Sequence, residues 1–237
     1  MSNFKGFLSI IFILLITGYF QPSIGADSAS KARIIMDEAI VSIERIRKEN
    51  MSTPKLENSL KNAKGVLIIP SYYKAGFVIG GSYGDGVLLK RDKTSGFSDP
   101  VFYRMTSGSL GLQIGMQSAE IMFLILTSRG MQAIIDDKIK IGANVGISVG
   151  SVGAGVEGAT TTNIGRDIVA YSRNAGLFAG GGLEGSLIKP RKDLNAAVYG
   201  LKESLPNNII SNSNLVYAER LRNALTSEIY YTSPQLD

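Results

Sequence analysis

Three groupings of residues in this sequence could act chemically on another molecule. Glu120, Glu157 and Glu184 lie in strand-like tracts and could serve as general acid and base if folding paired two of them. Ser71-Tyr72-Tyr73-Lys74 has the spacing of a serine nucleophile and its lysine base. Lys90, Arg91 and Lys93, with Lys189, Arg191 and Lys192, are the densest basic groups, each following an expected strand end. The chain has neither histidine nor cysteine. It therefore lacks the commonest general base and zinc ligand, and any thiol nucleophile, thiolate metal site or disulfide.

The enzyme-like patterns fail on order. Serine–lysine enzymes start a helix at the serine and carry a Lys-Thr-Gly element on a later strand. Here Ser71 follows a strand and Pro70, Lys93-Thr94 precedes Ser98-Asp99, and Ser95 occupies the glycine place. Gly80-Gly81-Ser82-Tyr83-Gly84-Asp85-Gly86 suggests a phosphate loop, which needs a helix after its glycines so that amides face the anion. A strand follows instead, and Gly84-Asp85-Gly86 fits the tight turn of a hairpin. What remains is cationic chemistry: ordinary turn charge, or, if the two basic groups converge, contact with lipid phosphates.

The elements that must position these residues can be read from periodicity. Ala26–Asn50 repeats Ile35, Ala39, Ile43 and Ile46 at helical spacing, and predicts a helix packed on the core rather than on a membrane surface. Pro54 opens a short helix through about Asn62. Strands are expected at Gly65–Pro70, ended by the proline, at Ala75–Tyr83 and Val87–Arg91 around the hairpin, at Val101–Met105, and at Leu110–Met116. Ile121–Leu126, apolar on both faces, reads as a central strand. Ser128–Asp137 reads as a short helix.

Ile141–Val149 alternates apolar residues with glycine or small polar ones, a strand with a glycine-lined face. Its phase slips near Gly150–Val152, which a β-bulge would produce. Gly142, Gly146 and Gly150 have the spacing of packed membrane helices, but the two-residue alternation argues against that reading. Ile168–Ser172 and Leu177–Ile188 are further strands, Pro190–Tyr199 a turn and helix, and Asn212–Ser227 the last helix. The fold expected is α+β: one domain with an N-terminal helical segment, a Gly-rich, mostly antiparallel β-sheet or barrel-like core, and a C-terminal helix.

Residues 1–25 read as a cleaved secretory signal peptide, with Lys5 before the apolar Phe7–Ile16 and small Ser23 and Gly25 before the cut; a retained anchor is the alternative. The mature domain is then 26–237. The net charge of +5, lowered by one when Lys5 leaves, is too dilute for a nucleic-acid binder.

Three blocks of this sequence together resemble the SYLF domain family, over about Asp27 to Leu225. The first is Ala63-Lys64-Gly65-Val66-Leu67-Ile68-Ile69-Pro70 with Gly76-Phe77-Val78-Ile79-Gly80-Gly81 and Gly84-Asp85-Gly86. The second is Gly108-Ser109-Leu110-Gly111-Leu112-Gln113-Ile114-Gly115. The third runs from Asp167 through Tyr171-Ser172-Arg173, Gly176-Leu177-Phe178-Ala179-Gly180 and Leu183-Glu184-Gly185-Ser186 to Arg191, Asp193, Asn195, Tyr199 and Gly200. One departure is the absence of tryptophan: Phe102-Tyr103 stand where relatives commonly carry such an aromatic. The resemblance implies a non-enzymatic module that binds membrane lipid, phosphoinositides in its animal relatives and actin in its fungal ones.

The expectation is therefore an exported bacterial envelope protein, periplasmic or secreted, with a peripheral place on the outer membrane as one option. It binds membrane phospholipids through anionic or phosphoinositide-like headgroups, without cofactor, metal or nucleic acid. Actin is not an expected partner for an exported bacterial protein. Lys90, Arg91, Lys93, Lys189, Arg191 and Lys192 are the candidate headgroup contacts, and Tyr72, Tyr73 and Phe77 the candidates to enter the interface. The competing reading is an envelope assembly protein that binds partners through an exposed sheet edge, which open edges and scattered basic groups would favour.

Overall fold

Gly65–Gly76 (β1) is the strand about which the sheet is laid. In the computed structural model, which describes residues 24–51, 54–76, 79–92, 96–110, 115–136, 139–141, 149–153, 166–173, 183, 185–202, 204–212 and 214–228, β1 pairs antiparallel with Ile79–Asp92 (β2) and Gly115–Ile125 (β5). Gly96–Phe97 (β3) and Val101–Leu110 (β4) lie beyond β2, and Ile168–Arg173 (β8) beyond β5. Ile139–Lys140 (β6), Val149–Gly153 (β7) and Leu187–Pro190 (β9) complete the order β6-β9-β4-β2-β1-β5-β8-β7, with β3 paired to β2. The sheet is a curled half-barrel, antiparallel except where β7 runs parallel to β8.

Both faces of the sheet are apolar because its central strands alternate between two cores. Val66 and Ile68 of β1, Val87 and Leu89 of β2, and Met122 and Leu124 of β5 belong to one cluster. Leu67, Ile69, Leu88, Ile121 and Phe123 belong to the other. The first face is covered by Ile24–Glu49 (α1), whose Ala32, Ile35, Met36, Ala39, Ile40, Ile43 and Ile46 are buried, and by Lys55–Asn62 (α2). Lys192–Tyr199 (α4) and Glu219–Thr226 (α6) pack on the same side. The second face is covered by Ser128–Ile135 (α3), capped by Thr127, and by Ile209-Ile210 at the end of Pro206–Ile209 (α5). The packed N-terminal helix, the central Ile121–Leu126 strand and the α+β class match the expectation.

Several boundaries differ. Pro70 does not end β1; the strand continues past it through an irregularity between Ile69 and Tyr72, where one extra residue stands in β1 against both neighbours. Proline cannot donate to a ladder, and a bulge is where a sheet tolerates it. Gly84-Asp85-Gly86 is not a hairpin turn but the middle of β2. A Cβ on Gly86 would stand 2.0 Å from the Ile68 carbonyl oxygen, and one on Gly84 2.6 Å from Ile69 Cγ2. These glycines serve close strand approach beside the bulge, not a turn. Leu110–Met116 is not one strand, since Leu110 closes β4 and Gly115 opens β5.

β7 keeps an unbroken register with β8, from Val149↔Ile168 to Gly153↔Ser172, so the bulge expected near Gly150–Val152 is absent there. The last helix starts later than Asn212, with a 3-10 turn at Val216–Ala218 leading into α6. The Ile141–Val149 stretch between its end residues, the Gly158–Gly165 loop and most of Leu177–Ile188 lie outside the described residues. No helix among the described residues is long and apolar enough to cross a membrane.

Candidate functional site

The charged centre of the molecule is Asp85, a residue the turn reading had passed over. Once β2 is read straight through, Tyr83, Asp85, Val87 and Leu89 share one face, because side chains alternate along a strand. Val87 and Leu89 are covered by α1; Asp85 stands just beyond that cover. Directly opposite it on β4 is Arg104, and opposite Arg104 on β9 is Lys189, so the three form one cross-strand row.

Cations reach the Asp85 carboxylate from three elements. Arg104 donates from Nε and Nη2 at 2.6 and 2.8 Å, a two-pronged fork. Arg191, at the start of α4, donates from Nη1 at 2.5 Å. Lys31 of α1 places its Nζ at 3.3 Å. The Asp85 side chain is only 8% exposed. Burial alone would raise its pKa, but the hydrogen bonds and charges of Arg104 and Arg191 outweigh that and hold the carboxyl below its ordinary value. Arg191 also grips Asp193 through Nε and Nη2, which raises the Arg191 pKa and lowers that of Asp193 to about 2. Lys189 and Lys192 are exposed beside this group. Among the described residues, Lys31, Arg104 and Arg191 pair with Asp85 and Asp193, and with Lys189 opposite Arg104 and Lys192 next to Arg191 the patch carries a positive surplus.

The neighbouring row, one alternation further from the helices, holds Tyr73 and Tyr83 in direct register between β1 and β2. Their rings are 6.1 Å apart by centroid, and the Arg104 guanidinium lies 5.8 Å from the Tyr83 ring.

The structure divides the residues picked out from sequence. Lys189, Arg191 and Lys192 gather at the Asp85 patch. Lys90 is exposed but sits five residues along β2, about 17 Å away at 3.3–3.4 Å per residue, so the two basic groups do not converge. Arg91 is turned inward: its Nε and Nη2 donate to the Ala63 and Leu60 carbonyls at the end of α2, and it stacks over Phe97 at 4.5 Å. Burial lowers its pKa, and its work is to close α2. Tyr72 is 1% exposed in the second core, with its hydroxyl on Ser107 Oγ at 2.9 Å, so it presents no ring to an interface. The bulge sets that outcome, sending Tyr72 inward and Tyr73, 47% exposed, outward. Lys93 and Phe77 lie outside the described residues.

Among the carboxylates considered for acid–base work, Glu157 and Glu184 lie outside the described residues. Glu120 pairs with Arg45 at 2.9 Å and Arg173 at 3.7 Å, a cationic setting rather than a carboxylate pair. No cluster of three metal-ligating side chains occurs among the described residues. Arg104, Lys31 and Tyr83 were missed by sequence reasoning along with Asp85. The only available signal was the period-two alternation running through Gly84-Asp85-Gly86.

Comparison with known proteins places the sequence in a family. Residues 106–228 match the family model Ysc84, described as Las17-binding protein actin regulator. LAS seventeen-binding protein 3 of Saccharomyces cerevisiae is 35% identical over 144 residues, 60% of this chain and 31% of that protein. Protein YSC84 of the same yeast is 34% identical over the same length. SH3 domain-containing YSC84-like protein 1 of Homo sapiens is 28% identical over 141 residues, 59% of this chain and 41% of that protein. The similar region therefore spans less than half of each of these relatives. Arg191, Asp193 and Lys189 fall inside the family match, whereas Asp85, Arg104 and Tyr83 precede it. With the match covering more than half of its residues, the chain belongs to the Ysc84/SYLF domain family.

Proposed function

We propose that this protein is a non-enzymatic lipid-binding module that holds anionic phospholipid headgroups at a membrane surface of the bacterial envelope. The observation that carries the reading is the positive surplus around Asp85, where Lys31, Arg104 and Arg191 close on Asp85, Arg191 also holds Asp193, and the exposed Lys189 and Lys192 adjoin Arg104 and Arg191. Each Lys or Arg close to an anionic membrane contributes about 1 kcal/mol, so a surplus of three supports reversible binding of about 3 kcal/mol. Export through the 1–25 leader, leaving a mature domain of 26–237 in the periplasm or outside the cell, is part of the same proposal. The yeast relatives are named for binding Las17, and the family description speaks of actin regulation. An exported bacterial protein meets neither, and lipid is the ligand that fits both the family and the patch.

Co-sedimentation of the mature protein with vesicles tests this. Binding is expected to phosphatidylglycerol vesicles and not to phosphatidylcholine, to fall with salt, and to drop about tenfold or more in the double variant K189E/K192E. Equal binding to both vesicle types, or to neither, overturns the electrostatic reading. The separation of Lys90 and Arg91 from the Asp85 patch favours the sheet-edge reading as the alternative; it expects partner binding that K189E/K192E leaves intact.

A further inference from the structure

Water reaches the aliphatic side chains of this domain unevenly. Among the described residues, four large aliphatics are more than half exposed: Leu201 at 84%, Val216 at 79%, Ile34 at 57% and Leu205 at 56%. Single apolar residues at a surface are ordinary, but these are grouped. Leu201, Leu205 and Val216 stand on the segments that wall one cleft of about 550 Å³, formed by Val198 and Tyr199 of α4, Ile209 of α5 and Leu215. Each lies within four residues of one of those walls. Ile34 follows Arg33, whose guanidinium is 5.0 Å from the ring of Tyr217, the neighbour of Val216. Tyr217 also donates to Asp37 Oδ2 at 3.4 Å, so its ring is tied to α1 while Val216 stands clear.

Hydrogen bonds hold the projecting residues in place. Gly200 ends α4 at φ +81°, a backbone conformation that favours glycine, and the chain leaves the helix at Leu201. Ser204 Oγ donates to the Leu201 carbonyl at 2.9 Å, and Asn208 Nδ2 to that of Lys202 at 3.3 Å. The Leu205 carbonyl accepts from the Asn208 and Ile209 N–H groups. Buried Asp99 accepts those of Asn214 and Leu215, fixing the segment that carries Val216.

We infer that Leu201, Leu205 and Val216 form a hydrophobic anchor that enters the acyl layer of the membrane whose headgroups meet the Asp85 patch. Helix α4 joins the two: Lys192 opens it beside the patch, and Leu201 and the exposed Lys202 follow its end. Its eight residues span about 12 Å, so one stretch of bilayer can meet both ends. Aliphatic tips on separate segments suit a fluid apolar layer, which fits any relief. Protein contacts favour aromatic and arginine anchors in a continuous, closely packed surface. The inference rests on the lipid reading and adds what holds the protein once charge has brought it there; the anchor takes no part in choosing a headgroup.

Since the chain has no tryptophan, L201W, L205W and V216W each carry a single fluorescent reporter, with K90W as the control. On phosphatidylglycerol vesicles the three reporters should shift their emission to shorter wavelength and lose access to aqueous iodide. Lipid brominated on its acyl chains should quench them. K90W should show none of these changes. L201D/V216D should weaken vesicle binding about tenfold or more, while its thermal melt matches the parent's because both side chains already lie in water. Reporters that stay open to iodide on vesicles that co-sediment with the protein overturn the anchor and spare the headgroup patch. An equal shift of K90W overturns it too, as does L201D/V216D binding as tightly as the parent, which leaves this face to a protein partner. Insertion into phosphatidylcholine as readily as into phosphatidylglycerol, unchanged by K189E/K192E, upholds the anchor and sinks the electrostatic reading. Binding to neither vesicle overturns both.

Discussion

Replacing Asp85 by asparagine separates the two roles of the patch, because it should harm the fold and help the binding. The amide keeps the shape of the carboxylate but not its charge, taking from Arg104, Arg191 and Lys31 the acid they share at the point where β2, β4, α4 and α1 meet. Removing one partner of a buried ion pair costs about 3–5 kcal/mol. Here the side chains of Arg104 and Lys31 are 30% and 46% exposed, and Arg191 keeps Asp193, so water and the second acid recover part of that. The loss expected in unfolding free energy is about 2–3 kcal/mol, read by urea denaturation followed by circular dichroism. The folded fraction gains one uncompensated positive charge, worth about 1 kcal/mol at an anionic surface, and should bind phosphatidylglycerol vesicles about fivefold more tightly. A variant as stable as the parent would show that Asp85 does not tie these elements together. A stably folded variant with weaker vesicle binding would refute the placement of the anionic ligand on this patch.

Other perturbations have equally definite outcomes. Gly86→Ala sets a Cβ 2.0 Å from the Ile68 carbonyl oxygen, a backbone atom of the central strand that cannot swing aside; a loss of about 3 kcal/mol or more, or insoluble protein, is expected in expression and denaturation assays. Asn195→Leu removes the side-chain oxygen that accepts the Phe102 N–H at 2.8 Å, in a position that is 0% exposed, and should cost about 1–3 kcal/mol by urea titration because a buried donor loses its acceptor. Acid should destabilise the fold through Asp85 and Asp193. Both carboxyls have folded pKa values below their ordinary ones, so their contribution is complete above the unfolded value of 3.8 and is lost as pH falls towards about 2. Thermal melts from pH 6 to pH 2 should fall most steeply below pH 4, and the slope should flatten in D85N/D193N.

Much of the architecture was legible because burial repeats with the period of the element. The α1 stripe, the doubly apolar β5 and the short α3 all carry their periodicity in plain sequence. The misreadings come from glycine and proline, whose local preferences were followed where a neighbouring strand decided the matter. Gly84-Asp85-Gly86 is as good a turn as any dipeptide rule can offer. It is a strand interior because β4 pairs with it residue for residue, and its glycines leave room for the Pro70–Ser71 bulge of β1 on the other side. That one error hid Asp85, and with it the patch.

The sequence by itself determined the α+β class, the helices at either end, the resemblance to the SYLF family and the lack of histidine or cysteine chemistry. These follow from composition and local periodicity, which need no knowledge of what lies across the sheet. The tertiary structure alone decided which charges meet: it set Arg191 and Lys189 beside Arg104 and Lys31 on Asp85, left Lys90 at a distance and turned Arg91 into a helix cap. It also decided which tyrosine faces water, since a single extra residue in β1 reverses the alternation. Register between strands is a long-range property, fixed by packing on both faces of the sheet, and no spacing along the chain encodes it.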